Sequence, residues 1–411
     1  MKIYRGYKTE LSPNNRQMTA LLRHAGSARW AYNWGLARKI KDYRETGKSP
    51  SAIDLHRDLN VLKRTAIEDG GVPWMYDVSK CSPQEALRNL DRAFRNFFRR
   101  CSGGAKKKGF PKFKSRSRGI GSFTLTGAVR VTETHVQLPR IGEIRLKEHG
   151  YLPSTPCEDV RILSATVSEK SGRWFVSLKV EQDIGDPVVM DEHVIGVDVG
   201  IKSLAVTSDG AVFENPRALK QAGSRLRQLQ KAVSRKVKGS ANRKKSTAKL
   251  ARQHYRVSCI RSDSIHKATS AITKLASVIV VESLNVAGML RNRHLSKALS
   301  DASLSEFHRQ IDYKSQWRGV RVVRADKWYP SSKTCSSCGT VKTKLSLGDR
   351  EYTCGDCGVV IDRDLNAAIN LRNLAGSSPV SACRPGSSGH GKSTTKLLVG
   401  QEPNTGVRCP V

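Results

Sequence analysis

The first hundred residues change from an alternating pattern to one with helical spacing. Residues 2–9 alternate between polar and apolar side chains, which is typical of an edge strand. Ser12 and Pro13 then indicate a helix start, because a hydroxyl can cap the first turn and proline is tolerated there. Helices are predicted over the ranges 13–24, 27–46, 51–65 and 83–101. The apolar stripe of the last helix, expected to face the core, is Ala86, Leu90, Ala93, Phe94, Phe97 and Phe98.

Between about 120 and 182 the apolar period becomes two. The pairs that predict short strands are Phe123/Leu125, Val129/Val131, Val136/Leu138, Ile144/Leu146, Val160/Ile162, Ala165/Val167 and Trp174/Val176. A Ser171-Gly172 turn between the last two predicts a hairpin. Such a run of strands favours a small barrel or curled sheet, and strand 2–9 can join it with the helical block inserted between. The polar segment 183–192 is the predicted boundary.

The second half of the chain predicts another sheet. Strands are predicted at 193–200, 204–206, 211–213, 278–282 and 320–323, with a helix at 302–318. Their alternation with helices predicts crossover connections and a largely parallel core. Asp198 lies in the middle of the first strand, and Glu282 ends the fourth. A buried acid without a partner costs several kcal/mol, so we expect a cation there. A lysine or arginine would serve, but Gly196 and Gly200 favour a metal by allowing close approach.

Two Cys-x-x-Cys knuckles, Cys335/Cys338 and Cys354/Cys357, follow, with fifteen residues between them. A glycine follows each knuckle, where a tight turn needs a residue without Cβ. Four thiolates at this spacing are typical of a structural zinc ribbon. Two disulfides or reduced core cysteines are the alternatives, which a thiol-reducing compartment and the paired glycines disfavour.

The second knuckle leads into Asp362-Arg363-Asp364 and a predicted helix. Asp364 is expected at the N-cap of that helix, where its carboxylate faces the positive helix end. Capping would explain one acid. It does not explain why the acid lies beside a metal knuckle in a basic chain. Together, Asp198, Glu282 and Asp364 would repel one another, which predicts two Mg²⁺ ions about 3.5–4 Å apart between them.

The charge of the chain points to a polyanionic partner. Lysine and arginine number 72 against 36 acids, a formal charge of +36. No apolar run approaches the roughly 18–20 residues of a membrane span, and the start does not read as a secretory leader, so we expect a soluble cytoplasmic protein without membrane contact. Residues 376–411, rich in Gly, Ser, Pro and Thr, are expected to form a mobile tail.

Two basic segments are the candidate nucleic-acid contacts. The predicted helical region 216–276 contains one acid, Asp263, and repulsion among its cations would destabilise it without a polyanion. The run 106–114 alternates cations with aromatic residues and breakers, which suits phosphate contacts. In both segments the alternative is a solvated charged surface. The candidates are Lys106, Lys107, Lys108, Lys112, Arg235, Lys236, Arg243, Lys244 and Lys245.

Several of these motifs together resemble the TnpB (OrfB) family, insertion-sequence proteins related to type V CRISPR nucleases. They are Gly-Val-Asp-Val-Gly, Val-Val-Glu-Ser-Leu, Trp-Tyr-Pro-Ser-Ser-Lys-Thr-Cys-Ser-Ser-Cys-Gly, Asp-Arg-Asp-Leu-Asn-Ala-Ala and Gly-Phe-Pro-Lys-Phe. The resemblance covers essentially all of 1–375. It implies an α/β multidomain protein with an RNase H-like RuvC nuclease core, an inserted zinc ribbon, and a β-barrel wedge domain carrying an inserted helical recognition lobe. The implied divisions are the wedge at 1–10 and 118–183, the lobe at 11–117, the nuclease at 190–330 and 359–374, the ribbon at 331–358, and a disordered tail at 375–411.

The resemblance also implies an activity. It predicts a monomer bound to one guide RNA from the transposon end, which cleaves both strands of target DNA next to a short motif, with two Mg²⁺ and one Zn²⁺. In relatives the third catalytic acid immediately precedes x-Asn-Ala-Ala, which favours Asp364 over Asp362 beside Asp198 and Glu282. Lys80 and Gln84 fall in a region that the family uses to read the motif.

Three other functions stay open. One is a nuclease-inactive relative that binds guided sites as a repressor, which the three acids disfavour. A DNA-strand transposase would need a nucleophilic tyrosine with a histidine pair or another acid spacing, and neither is evident. A zinc-ribbon structural RNA-binding protein would make the two acid-bearing strands a coincidence.

Overall fold

The structure is a computed structural model that describes residues 2–104, 108–185, 193–346 and 348–377, together with the backbone of 400–402. The chain divides into two compact units, Lys2–Ile184 and Gly185–Val411. The division falls at the start of the polar segment in which the sequence predicted a boundary. The finer division into wedge, lobe, nuclease and ribbon stays a prediction.

The first unit combines helices with an antiparallel sheet. Its elements are β1 (Lys2–Ser12), α1 (Asn15–Thr46), α2 (Ala52–Arg64), α3 (Cys81–Ser102), β2 (Ser122–Leu125), β3 (Arg130–Val131), β4 (His135–Leu138), β5 (Gly142–Leu146), β6 (Val160–Lys170) and β7 (Arg173–Asp183), with 3₁₀ turns at Pro73–Asp77 and Arg116–Arg118. Within this unit the strands follow the order β2-β6-β7-β1-β5-β4-β3. Along the sequence, helices α1–α3 are therefore inserted between β1 and the other strands of the sheet to which β1 belongs.

The start of α1 differs from the prediction. The pattern indicated two helices, beginning at Ser12 and Pro13, but α1 is one helix of 32 residues. Asn14 is its N-cap: the Asn14 carboxamide oxygen accepts from the Gln17 backbone N–H at 2.9 Å, and the Gln17 side chain accepts from the Asn14 N–H at 3.0 Å. The helix does not break near residue 25, because the buried stripe continues through Ala25 and Ala28.

The aromatic stripe of α3 is only partly in the core. Ala86 and Leu90 are buried, as predicted. The expectation fails at the C-terminal end, where Phe98 is 59 % exposed. The rings of Phe94 and Phe97 instead pack against Phe110, with centroids 5.5 and 5.3 Å away. The last turns of α3 thus extend beyond the buried core of this unit.

The second unit has a mixed five-stranded sheet covered by helices. Its elements are β8 (Val194–Asp198), β9 (Ser203–Thr207), β10 (Val212–Glu214), α4 (Ala218–Gln221), α5 (Gly223–Ser234), α6 (Ala241–Leu275), β11 (Val278–Val281), α7 (Val286–Met289), α8 (Ser296–Ala302), α9 (Leu304–Arg318), β12 (Arg321–Arg324), β13 (Glu351–Thr353), β14 (Val360–Asp362), α10 (Arg363–Ser377) and β15 (Gly400–Glu402). The sheet order is β10-β9-β8-β11-β12. The parallel pairing predicted for the core is confirmed for β8, β11 and β12, and the meander β8–β10 is antiparallel.

The predicted tail lies mostly outside the described residues. Helix α10 continues to Ser377, past residue 375 where the tail was expected to begin. Residues 378–399 and 403–411, including Cys383 and Cys409, are not described. In the described part of the chain, no helix has the length and apolarity that a membrane crossing requires.

Candidate active site and zinc centre

Parallel pairing brings the first two predicted acids together. In the ladder between β8 and β11, Val197 is paired with Val281, so the next residues, Asp198 and Glu282, emerge side by side at the same edge of the sheet. Both side chains line one cavity of about 900 Å³. Asp364 lines the same cavity, which we call the acid cavity. The three acids, of which the first and last are more than 160 positions apart in sequence, therefore surround a common space.

The third acid is not a capping residue. The Asp362 carboxylate caps α10, because its Oδ1 accepts from the backbone N–H groups of Asp364 at 2.9 Å and Leu365 at 3.1 Å. The predicted N-cap role of Asp364 is therefore wrong. The helix begins at Arg363, and its N-cap is Asp362, two residues before Asp364. Asp364 lies in the first turn, half-buried, with its Oδ1 3.9 Å from the Arg363 Nε. Its carboxylate is thus available to the cavity.

Repulsion and burial act on Asp198. Burial raises the pKa of the Asp198 carboxyl well above its ordinary value, and the negative charges of Glu282 and Asp364 raise it further, while Arg363 opposes them. Among the described residues, no cationic side chain forms an ion pair with Asp198. The arrangement is therefore one that a bound cation would stabilise.

The glycines around Asp198 have a structural explanation that the sequence reasoning missed. Gly196 faces the backbone of α10, which crosses β8 there. A Cβ on Gly200 would lie 3.3 Å from the Ser203 carbonyl oxygen in the adjacent turn. Close backbone packing accounts for Gly196, whereas Gly200 also lines the cavity that holds the acids. Gly196 therefore gives no support to a metal, for which the main evidence is the three carboxylates.

Glu282 is oriented by a loop that follows β12. The Ser331 hydroxyl donates a hydrogen bond to Glu282 Oε1. The Asn370 side-chain amide donates to the Ser331 carbonyl oxygen at 2.8 Å, and the Tyr329 hydroxyl donates to the Asn370 carbonyl oxygen at 3.2 Å. Helix α10 therefore carries one acid and, through Asn370 and Ser331, orients a second. No local pattern in the sequence indicated this connection.

The four predicted zinc ligands converge. All their sulfur atoms lie within 4.8 Å of one another, and the pairs Cys335/Cys357 and Cys338/Cys354 are 3.6 Å apart. Tetrahedral zinc with Zn–S bonds of about 2.3 Å places its sulfurs roughly 3.8 Å apart, so this geometry fits zinc. A disulfide needs an S–S distance of about 2.05 Å, which excludes the alternative pairing. Within the described residues, no other group of potential metal ligands lies this close together. The carboxylates of Asp198, Glu282 and Asp364 are also farther apart than the four sulfurs.

The zinc knuckle is bound to the helix that carries Asp364. Asn366, fully buried on α10, donates to the Thr334 carbonyl oxygen at 2.7 Å and accepts from the Ser336 N–H at 2.9 Å. Asn370 donates to the same Thr334 oxygen at 2.7 Å. These bonds hold the two residues that flank Cys335. The zinc centre is thereby hydrogen-bonded to α10, the helix that also carries Asp364 into the acid cavity.

Cations that the sequence did not single out also line the acid cavity. They are Lys202, Arg217, Lys220, Lys297, Arg350 and Arg363. Buried Asp301 fixes the backbone at one of them, Lys220, because it accepts from the N–H groups of Leu219 and Lys220 at 2.9 and 3.0 Å and pairs with Arg261 at 2.8 Å. The basic composition of 216–276 was an advance signal for Arg217 and Lys220 only, and no local pattern indicated the other four.

The predicted nucleic-acid contacts are mostly exposed. Exposed side chains are Lys80, Lys108, Lys112, Arg235, Lys236, Lys244 and Lys245, whereas Gln84 is half-buried in the first turn of α3. Lys106 and Lys107 lie outside the described residues. Arg243 differs, because its guanidinium donates to the carbonyl oxygens of Val233, in the last turn of α5, and Lys236, just after it, at 3.2 and 2.9 Å. Part of the hydrogen-bonding capacity of the Arg243 guanidinium is therefore used within the protein and is not available to a nucleic acid. The roles of all these residues stay predictions.

This chain is similar to several family models, to related proteins and to a solved structure. The family model OrfB_IS605, described as "Probable transposase", matches residues 165–293, the "Cas12f1-like, TNB domain" model matches 305–371, and a "Helix-turn-helix domain" model of the same OrfB group matches 1–48. A "Putative RNA-guided DNA endonuclease" of Streptomyces pristinaespiralis is 36 % identical, over 98 % of this chain and 97 % of that protein. "Putative RNA-guided DNA endonuclease InsQ" of Escherichia coli K12 is 30 % identical, over 93 % and 94 %. The solved "Structure of the mini-RNA-guided endonuclease CRISPR-Cas_phi3" aligns over 91 % of this chain and 92 % of that one, at 10 % identity and a TM-score of 0.47.

Proposed function

We propose that this chain, which belongs to the TnpB (OrfB) family of insertion-sequence proteins, is an RNA-guided DNA endonuclease. Relatives with that description align with nearly its whole length. The observation that carries the proposal is the convergence of Asp198, Glu282 and Asp364 on one cavity, with cations at its margin. A protein that only binds RNA has no need for three mutually repelling carboxylates in a basic chain.

The three acids fit a site for Mg²⁺. Carboxylate oxygens are the ligands that this ion prefers, and the pKa of Asp198 is raised by burial first and then by the charges of Glu282 and Asp364, both of which a bound cation would offset. Divalent ions at such a site supply an attacking water of lowered pKa and a positive charge for the leaving oxygen. The residues of the chain hold the carboxylates in place: Ser331 orients Glu282, and Asp362 fixes the turn that carries Asp364.

The cations have a separate part in the proposed mechanism. Arg217, Lys220 and Arg363 line the cavity and would bind the phosphates on either side of the scissile bond. Asp301 keeps the start of α4 in position for this purpose. Arg363 also reduces the repulsion at Asp198 and so keeps more of that carboxylate ionised.

The finer assignments are part of the proposal. We assign the meander β8–β10 with the parallel strands β11 and β12 to an RNase H-like RuvC core, and residues 331–358 to a ribbon holding one structural zinc ion. The sheet of the first unit would form the wedge, with α1–α3 as the recognition lobe. The partners would be one guide RNA from the transposon end and double-stranded DNA that carries a short adjacent motif.

Cleavage programmed by the RNA tests this function. The RNA that copurifies with the protein would be sequenced, its guide segment replaced, and the complex offered a labelled duplex library in Mg²⁺. We expect double-strand breaks only in duplexes that match the new guide, and none in EDTA. Cleavage that does not follow the guide, or binding of the matched duplex without any cleavage, would contradict the proposal.

A further inference from the structure

A second cavity lies wholly within the first unit and away from the acids in sequence. It encloses about 790 Å³ and is lined by residues of α1 and of the segment 74–78. Its aromatic walls are Trp30, Trp34 and Trp74. The rings of Trp30 and Trp34 are nearly parallel, at 9° with centroids 6.0 Å apart, and Trp74 stands edge-on to Trp30 at 6.0 Å. We call this cavity the indole pocket.

Gly26 borders the pocket, and packing does not require a glycine there. Gly26 lies inside α1, where glycine costs roughly 0.5–1 kcal/mol relative to alanine. A Cβ there would meet only Arg29 Nη2, at 4.0 Å. On the same helix Gly35 is different, because a Cβ would lie 2.7 Å from Leu87 Cδ2. Gly26 therefore leaves space that no other part of the described chain uses.

Polar groups around the pocket lack protein partners. The Ser27 hydroxyl lines it, is fully buried, and forms no hydrogen bond within the described residues. The indole N–H groups of the three tryptophans likewise form none in that part of the chain. Buried polar groups are usually satisfied, so the Ser27 hydroxyl is an exception; the indole N–H groups belong to partly exposed tryptophans and are open to a ligand or to water.

The charges at the pocket favour an anionic ligand with a flat apolar part. Arg23 and Arg29 line it against one acid, Asp77. Arg23 is exposed and has no ion pair among the described residues, while Arg29 spends one guanidinium nitrogen on the Ile120 carbonyl oxygen at 3.1 Å. A nucleotide combines these properties, because its base stacks on aromatic rings and its phosphate binds arginine.

We propose that the indole pocket binds one unstacked base of the RNA partner. The proposal rests on the proposed function for the presence of RNA, and it adds a binding site outside the acid cavity. RNA is favoured over DNA because single-stranded RNA presents unstacked bases, which aromatic side chains commonly receive. A base of duplex DNA would first have to be unpaired and unstacked, at a cost of a few kcal/mol.

Ultraviolet crosslinking of the purified protein–RNA complex, without DNA, tests the proposal. Peptides mapped by mass spectrometry should carry a crosslinked nucleotide on Trp30, Trp34 or Trp74. Gly26→Leu should remove that crosslink by filling the pocket, and Gly26→Ala should keep it, because its methyl has room. Tyr43→Ala, which removes an aromatic side chain that is 63 % exposed on α1 outside the pocket, should also keep it.

The affinity for RNA gives a second measurement. Gly26→Leu and Trp74→Ala should each raise the Kd for the copurified RNA about 5- to 150-fold, as loss of one stacked base does, with an unchanged salt slope because stacking is not ionic. Unchanged crosslinks and affinity in both folded variants would overturn the proposal. It would also be overturned if, in a parallel reaction with labelled target DNA added to the complex, the pocket crosslinked to the DNA and never to the RNA. Crosslinking to the pocket in a complex that cuts no matched DNA would sustain this site while contradicting the proposed nuclease.

Discussion

The backbone of α10 crosses β8 so closely at Gly196 that a Cβ there would lie 2.5 Å from the backbone nitrogen of Arg372 and would overlap the carbonyl oxygen of Ala368. Backbone atoms cannot rotate away as side chains do. This contact fixes the helix that carries Asp364, Asn366 and Asn370 relative to the strand that ends in Asp198. The position of the third acid thus depends on a residue without a side chain.

Replacing Gly196 with alanine should therefore separate α10 from β8. We expect the free energy of unfolding to fall by about 2 kcal/mol or more, since overpacking a close contact typically costs 1–3 kcal/mol, and DNA cleavage to fall with it. Gly223→Ala is the matched control, because a Cβ there has nothing within 4 Å. Denaturant unfolding of the two variants is the measurement, and equal stability would show that the contact relaxes freely.

Substitution of Asp362 should mainly lower stability, whereas substitution of Asp364 should mainly lower activity. Removing the cap with Asp362→Ala should lower the free energy of unfolding by about 1 kcal/mol and leave most cleavage intact. Asp364→Ala should leave α10 capped and abolish cleavage. Thermal unfolding and cleavage of one matched duplex would be measured for both variants. The reverse result, cleavage by Asp364→Ala but not by Asp362→Ala, would make Asp362 the third catalytic acid.

The raised pKa of Asp198 predicts a pH dependence in metal-free protein. Because the folded pKa lies above the unfolded one, Asp198 contributes stability at low pH that is lost as the pH rises through its folded pKa. Asp198→Asn should therefore raise the Tm in EDTA at pH 8, and the gain should shrink as the pH falls towards 4. The check is a Tm series across that range. A gain that stays constant, or grows on acidification, would mean that Asp198 is not destabilised by its charge.

Zinc should be required for more than the ribbon. Cys335→Ser should lose zinc and strongly reduce both stability and cleavage, because structural zinc supplies about 10 kcal/mol or more in small sites and Thr334, beside Cys335, is bonded to α10. Cys157→Ser, at an exposed cysteine in the first unit, should change neither. Zinc content by mass spectrometry, with Tm, decides; a zinc-free protein of parental Tm and activity would refute the assignment.

Local pattern was sufficient for some of this site. Two apolar strands that end in acids predicted Asp198 and Glu282, and their parallel pairing followed from the helices between them. The knuckle spacing predicted the four thiolates. These features depend on short-range periodicity and on the fixed ligand preferences of metals.

Other features depend on contacts that no local pattern encodes. The bond from Asn370 to Ser331, and from there to Glu282, joins three separate segments. The cap at Asp362 could not be distinguished from one at Asp364, since two acids with one residue between them both suit a helix start. Gly196 was interpreted as space for a ligand, whereas the packing of α10 explains it. Family resemblance, rather than periodicity, supplied the guide RNA and the DNA target.

We propose that Asp198, Glu282 and Asp364 act together in one nuclease site. The decisive measurement is cleavage and binding of one guide-matched, labelled duplex by Asp198→Ala, Glu282→Ala and Asp364→Ala in Mg²⁺. We predict that each variant binds the duplex as the parent does, since affinity comes from base pairing and phosphate contacts, and that none cuts it. Full cutting by Asp198→Ala or Glu282→Ala would contradict the claim.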